Sequence, residues 1–169
     1  YSNCESVELF LNGKSLGEKN MDDKMDLVWQ VPYKAGVMVA KGKNGGKVVS
    51  IKEISTSGSP AKIQLLADRK TISANGQDVV HLEINIQDDH NNFVPDALNR
   101  INFKVEGDAT IIGVDNGDPL NEKSYNSNSL KVFNGKCLVI IKATKTKSEF
   151  TFYAGSDGLT GASVRVEVK

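Results

Sequence analysis

Few side chains in this sequence have chemistry to offer, and they are scattered. There are two histidines, His81 and His90. His81 points outward from the alternating segment Val79–Gln87, and His90 lies in the polar run Asp88–Asn92. Neither has a nucleophile at motif spacing, and no Gly-x-Ser-x-Gly elbow is present, so both read as solvated imidazoles. Two clusters could offer oxygens to a cation: Asp88, Asp89 and Asn91, and then Asp115, Asn116 and Asp118. Calcium takes about six to eight oxygen ligands, and neither cluster has the spacing of a calcium loop. Asp, Asn and Gly are also the residues of tight turns, so both clusters are read as turns, with no metal site and no cofactor. Cys4 and Cys137 lack metal-ligand spacing, and a bridge between them would have to cross the domain boundary placed below. Both are expected to be free and partly buried.

Hydrolysis of a glycosidic bond needs two carboxylates flanking the bond on a rigid scaffold. Acidic residues are plentiful, 21 Asp and Glu, but no feature singles out a pair. Asn121-Glu122 lies in the Ser/Asn-rich loop Asp115–Asn128 and reads as a chance dipeptide, so no catalytic residue is assigned. Sugars stack on exposed aromatic rings. Trp29 alternates in phase with Leu27 and Val31, which places it in a core. Tyr125, in the long polar loop, and Tyr33, just after Pro32, are the two carbohydrate-binding candidates. The 21 Lys and Arg balance the acids to a formal net charge of zero. Such a balance does not suggest a nucleic-acid partner, and no apolar run is long enough to span a bilayer as a helix. The first residues lack the basic–apolar–small order of a secretion signal, which in a piece of a longer chain carries no conclusion.

The elements that must position these residues are strands. In Ser6–Gly17 (SVELFLNGKSLG), Val7, Leu9 and Leu11 face one side, and Asn12-Gly13 supplies the positive-φ pair of a type I′ turn. That turn sets Leu11 opposite Lys14 and Leu9 opposite Leu16. A polar turn, Asn20–Lys24, leads to a strand over Asp26–Val31 that Pro32 ends. Val37–Lys43 and Val48–Ser55 flank the turn Asn44-Gly45-Gly46, giving about five strands in the first 55 residues. Thr56–Ala61 (TSGSPA) is the one compositional break and marks a linker. Beyond it, Lys62–Ala67, Val79–Gln87, Ile101–Val105, Ala109–Val114, Leu130–Phe133, Cys137–Thr144, Phe150–Ala154 and Val164–Val168 read as strands. In Val79–Gln87, Val80, Leu82, Ile84 and Ile86 point inward, while His81, Glu83, Asn85 and Gln87 point to water. No helical periodicity is sustained. The fold class is all-β, as two tandem immunoglobulin-like β-sandwich domains, 1–57 and 61–169. The first domain is expected to lack its opening strand, which would leave an edge prone to pairing with another chain.

Two blocks of sequence carry a family resemblance. The first is Tyr1–Gly17 (YSNCESVELFLNGKSLG) with Leu27–Pro32 (LVWQVP) and Tyr33–Gly36 (YKAG). The second is Ala67–Asp78 (ADRKTISANGQD) with Val80–Asp88, then Gly113–Pro119 (GVDNGDP) and Ala154–Ala162 (AGSDGLTGA). Together they span nearly the whole chain. It resembles the C-terminal, non-catalytic part of a bacterial β-galactosidase of glycoside hydrolase family 2. The resemblance implies a parent that hydrolyses β-galactosides or related β-glycosides with retention of configuration and works outside the cytoplasm. It implies catalytic glutamates in a barrel domain absent from this sequence, with that barrel and the parent's other domains as partners. On this reading the chain is a structural accessory region; its alternative is a carbohydrate-binding module that brings the parent to polysaccharide.

Overall fold

A computed structural model describes residues 1–21 and 26–169. The chain divides into two compact units, Tyr1–Thr56 and Ser57–Lys169. All regular structure among the described residues is β.

The first unit holds one antiparallel sheet of four strands: β1 (Ser6–Leu11), β2 (Lys14–Asn20), β3 (Val37–Asn44) and β4 (Lys47–Ser55), in the order β2-β1-β3-β4. Asn12 (φ 51°) and Gly13 (φ 79°) form the expected two-residue turn, and Leu11 pairs with Lys14. The pairing of Leu9 with Leu16 does not occur. Beyond Phe10↔Ser15 the ladder resumes at Glu8↔Glu18, so Leu16 and Gly17 together oppose Leu9 in a β-bulge. Gly17, at φ 100°, supplies a backbone that a side chain would resist, and its N–H donates to Ser15 Oγ at 3.2 Å. Turn chemistry sets the first two pairs, and the bulge then resets the register.

The five strands expected here become four among the described residues. Asp26–Val31 joins no ladder, although its alternation survives: Leu27, Trp29 and Val31 are half-buried while Val28 and Gln30 are exposed. Alternation reports burial along one side of an extended chain and does not by itself require a hydrogen-bonded neighbour. The segment lies over the sheet face carrying Val7, Ala40 and Gly42. Leu27 and Trp29 line a cavity of about 190 Å³ with these residues, and Lys19 Nζ donates to the Val28 carbonyl at 2.6 Å. The Trp29 indole Nε1 is enclosed without an acceptor among the described residues. The opposite face is charged, with Lys43 Nζ set between Glu8 (2.8 Å) and Glu18 (2.6 Å). Of the polar turn expected at 20–24, Asn20 closes β2, and the part from residue 22 lies outside the described residues. Strand β4 is an edge with Val48, Val49, Ile51 and Ile54 exposed.

The second unit is a two-layer β-sandwich. One sheet orders β5 (Lys62–Ala67), β7 (Val79–Gln87), β11 (Lys136–Ala143) and β9 (Ala109–Asp115) as β5-β7-β11-β9. The other orders β10 (Ser129–Lys131), β8 (Arg100–Gly107), β12 (Ser148–Gly155), β13 (Ala162–Val168) and β6 (Thr71–Ile72) as β10-β8-β12-β13-β6. The two-residue β6 pairs in parallel with the end of β13, a contact too short to leave a sequence pattern. Val80, Leu82, Ile84 and Ile86 are fully buried, as their alternation predicts, against Ile101, Phe150, Phe152 and Val166. The Phe103 and Phe152 rings sit 5.9 Å apart, a tilted pair within the range that adds to burial. Burying each such side chain contributes about 1.5–3 kcal/mol, which makes this layer the stable part of the unit.

Asn85 departs from its expected place in water and is 6 % exposed. It lies in the middle of its sheet, opposite Gln64 on one side and Lys136 on the other, and its Nδ2 donates to Gln64 Oε1 at 3.3 Å. Long neighbouring side chains cover a short one there.

Candidate functional site

The carboxylates that could do chemistry are engaged by backbone. Asp88 is 1 % exposed. Its Oδ1 accepts the N–H groups of His90 (3.0 Å) and Asn92 (2.7 Å), and its Oδ2 accepts the Gly58 N–H (2.8 Å) and Asn92 Nδ2 (3.0 Å). The Gly58 N–H foremost, with the Asn92 and His90 donors, holds this carboxyl down at a pKa of about 2 against the opposition of burial. Asp89 and His90 bring ligand atoms close to Asp88, with His90 Nδ1 2.6 Å from Asp89 Oδ1. Each Asp88 oxygen already takes two hydrogen bonds, so the cluster is built as a turn that fastens the start of the second unit at Gly58.

The other acidic cluster has the same character. Asp115 Oδ1 accepts from the N–H groups of Asn116 (2.8 Å) and Gly117 (3.2 Å), Asn116 Oδ1 from Asp118 N–H (3.0 Å), and Asp118 Oδ1 from Leu120 N–H (2.9 Å). Successive side chains capping their own backbone two residues on make a rigid polar loop. Asn116 Nδ2 also donates to the Lys131 carbonyl at 2.9 Å, which ties the loop to β10.

The Ala67–Asp78 motif is a knot of the same kind. Asp68 Oδ1 accepts the His81 N–H at 2.9 Å, and its Oδ2 lies 3.2 Å from His81 Nδ1 and 3.1 Å from Arg69 Nε. Burial pushes the Asp68 carboxyl up, yet the His81 and Arg69 contacts together hold it below its ordinary range. Asp78 Oδ2 accepts the Ser73 N–H at 2.9 Å, and Arg69 reaches Asp78 at 3.7 Å. His81 is thus tied to Asp68 through both its backbone N–H and its ring. Both thiols are free and buried, more deeply than their sequence context implies, and burial pushes the Cys137 thiol up to about 12.

Tyr33 (85 % exposed) and Tyr125 (67 % exposed) both present their rings to solvent. They belong to different units. The loop bearing Tyr125 does form a concavity, of about 450 Å³, but Tyr125 is not among its lining residues. Its walls carry Leu98, Leu120 and Phe133 together with Arg100, Lys123 and Lys131. Sequence reading passed over these cations because they are distant along the chain. The available signal was the outward position of Arg100 beside Ile101 and of Lys131 beside Leu130.

The fold and this surface define a β-sandwich protein in which Asp68, Asp78, Asp88, Asp115 and Asp118 serve turns and Glu8, Glu18, Glu83 and Glu106 serve ion pairs. Residues 63–165 match the family described as glycoside hydrolase family 2 C-terminal domain 5, and residues 1–50 match a domain of unknown function, DUF4982. The chain belongs to glycoside hydrolase family 2 through this C-terminal domain family. It is 38 % identical, over its whole length, to 20 % of the β-galactosidase BoGH2A of Bacteroides ovatus. It is 29 % identical to a putative β-glucuronidase of Formosa agariphila, over 88 % of this chain and 15 % of that one. Among solved structures, a glycosyl hydrolase family 2 member from Bacteroides cellulosilyticus superposes with a TM-score of 0.94 and 37 % identity, over 100 % of this chain and 22 % of that one. The chain therefore spans about a fifth of the length of the relatives it matches.

Proposed function

We propose that the chain is a non-catalytic accessory region of a β-galactosidase-like, retaining glycoside hydrolase, made of modules 1–57 and 61–169 that support a catalytic barrel elsewhere in the parent. The observation that carries this reading is the use of the carboxylates. Asp68, Asp78, Asp88, Asp115 and Asp118 cap backbone N–H groups, and Glu8, Glu18, Glu83 and Glu106 accept from lysines. A glycosidase needs a carboxyl pair about 5–9.5 Å apart facing open space, one of them with a raised pKa. The acids whose pKa is displaced here, Glu8, Glu18, Asp68, Asp78, Glu83, Asp88, Glu106 and Glu167, all lie below their ordinary range, opposite to the need of a general acid. The coverage of only 20 % of a galactosidase relative and 15 % of a glucuronidase relative agrees with a supporting segment.

The test is turnover of nitrophenyl β-galactoside and nitrophenyl β-glucuronide by the 169-residue chain and by its full-length parent. The parent is expected to turn over one of them with retention, and the chain alone neither. Turnover by the chain alone overturns the reading.

A second reading, glycan binding through Tyr125 or Tyr33, draws support from the exposure of both rings. Affinity electrophoresis against galactan and xylan tests it: retardation abolished by Tyr125→Ala or Tyr33→Ala supports it, and migration indifferent to these glycans rejects it.

A further inference from the structure

We propose that the concavity enclosed by the 115–128 loop and strands β8 and β10 binds an acidic saccharide, a sugar ring bearing a carboxylate or sulfate. The starting observation is an electrostatic conflict. In the antiparallel pairing of β10 with β8, Lys131 stands directly opposite Arg100. Like charges at directly opposed positions destabilise a sheet. Elsewhere on this unit several outward strand charges are matched, Lys104 with Glu106, Lys136 with Glu83 and Arg165 with Glu149, while among the described residues Lys62 and Lys142 stand apart from any carboxylate and from one another's strand. Among the described residues neither Arg100 nor Lys131 has a carboxylate within ion-pair distance, nor does Lys123, the third cation of the concavity. Three unmatched cations, two of them directly opposed on neighbouring strands, are thus gathered around one hollow. Local rules broken without a compensating contact are where a functional surface is expected.

The rest of the hollow states what kind of anion fits. Leu98 (56 % exposed) and Leu120 (85 % exposed) are held in water on its wall, with Phe133 beside them. Single exposed leucines are ordinary, but two next to an aromatic ring and three cations form an amphipathic lining. A pyranose ring has the matching surface, with one face of C–H groups for the apolar wall and, when acidic, an anionic substituent for the cations. A bare phosphate or sulfate ion would leave the leucines unused, and a neutral sugar would leave the cations unused. Two acids also line the hollow. Asp118 spends an oxygen on the Leu120 N–H at 2.9 Å, and Glu122 leaves the cations in the majority, three to two. The volume, about 450 Å³, lies in the usual range for small-molecule sites of about 300–1,000 Å³. The side-chain caps of Asp115, Asn116 and Asp118, and the Asn116 bond to the Lys131 carbonyl, hold the loop open in advance, which lowers the entropy lost on binding.

This goes beyond the accessory role and does not depend on it, because that role is read by turnover and this site by binding. The test is affinity electrophoresis of the 169-residue chain at about 0.15 M salt, where long-range charge attraction is screened. The gels contain polygalacturonate, dextran sulfate or neutral galactan. Retardation is expected with polygalacturonate or dextran sulfate, and which of them acts assigns the anion as carboxylate or sulfate. The double variant Arg100→Gln/Lys131→Gln is expected to weaken that binding at least tenfold with an unchanged or higher Tm, since it also removes the repulsion. Lys47→Gln/Lys52→Gln removes the same charge from the first unit and is expected to leave binding intact. The proposal is overturned if neither anionic polymer retards the chain, if the two double variants weaken binding equally, or if neutral galactan retards the chain as strongly and through the same two residues.

Discussion

Asn12 and Gly36, 24 positions apart in sequence, are packed so closely that a β-carbon on residue 36 would overlap Asn12 Oδ1. Asn12 holds the left-handed first position of its hairpin turn and also caps the entry to β3. Its Oδ1 accepts the Val37 N–H at 2.8 Å, its Nδ2 donates to the Ala35 carbonyl at 3.0 Å, and its own N–H donates to the Val37 carbonyl at 2.8 Å. Gly36, at φ 138°, also meets Thr56: its N–H donates to Thr56 Oγ1 at 3.1 Å, and its carbonyl accepts the Thr56 N–H at 2.8 Å.

Gly36→Ala is therefore expected to destabilise the first unit by about 2 kcal/mol or more, through backbone strain and the clash with Asn12. Asn12→Gly keeps the turn's backbone freedom and removes the side-chain bonds, for a loss of about 1–2 kcal/mol. Because Asn12→Gly also removes the atom in the way, the double variant should lose less than the sum. Urea unfolding of the four proteins measures the coupling, and strict additivity would mean that the two residues act independently.

Asp88 makes acid stability a second measurable consequence. Its pKa is about 2 in the folded chain against 3.8 for an ordinary aspartate. Between those values the unfolded chain binds more protons, so the stabilisation is complete above pH 3.8 and disappears as pH falls toward 2. Glu8 and Glu18, held down foremost by hydrogen bonds from Lys43, and Glu83, held down foremost by Lys136, change stability in the same direction. Asp88→Asn places an amide N–H₂ among four donors. It is expected to lower the Tm by several degrees at neutral pH and to flatten the fall of Tm with acid. An unchanged acid slope in this variant would show that other carboxylates carry it.

Cys137 offers a chemical probe of the core. It is 4 % exposed, and a thiol with a pKa of about 12 is almost wholly protonated at neutral pH. Cys4, packed against Gly42, is 6 % exposed. Neither should react with a disulfide reagent in the native chain, and both should react at once in denaturant. Prompt labelling of Cys137 without denaturant would mean that β11 opens locally.

How far the sequence reads depends on the range of the interactions. Val79–Gln87 and Lys62–Ala67 are the same in sequence and structure because period-two burial on a sandwich face writes itself into the order of residues. The Asn12-Gly13 turn is legible because positive φ at two adjacent positions restricts the residue types. The turn character of the Asp88 and Asp115 clusters is legible for a similar local reason. Other features depend on neighbours far along the chain. Asp26–Val31 alternates as a strand does, yet it lies over a sheet without joining one. Leu9 meets the two-residue bulge Leu16-Gly17 instead of pairing with Leu16 alone, and Asn85 is covered by side chains of β5 and β11.

The sequence alone thus determined the all-β class, the family, and the polar loop that holds Tyr125 in water, because these follow from local pattern and motif. Only the tertiary structure decided that Asp88 reaches back to Gly58, that Asn12 caps the entry to β3 next to Gly36, and that Arg100 faces Lys131 across a ladder. The physical reason is common to all three: strand pairing and loop closure set side by side residues that are separated by 24 to 31 positions, and no local pattern encodes such a meeting.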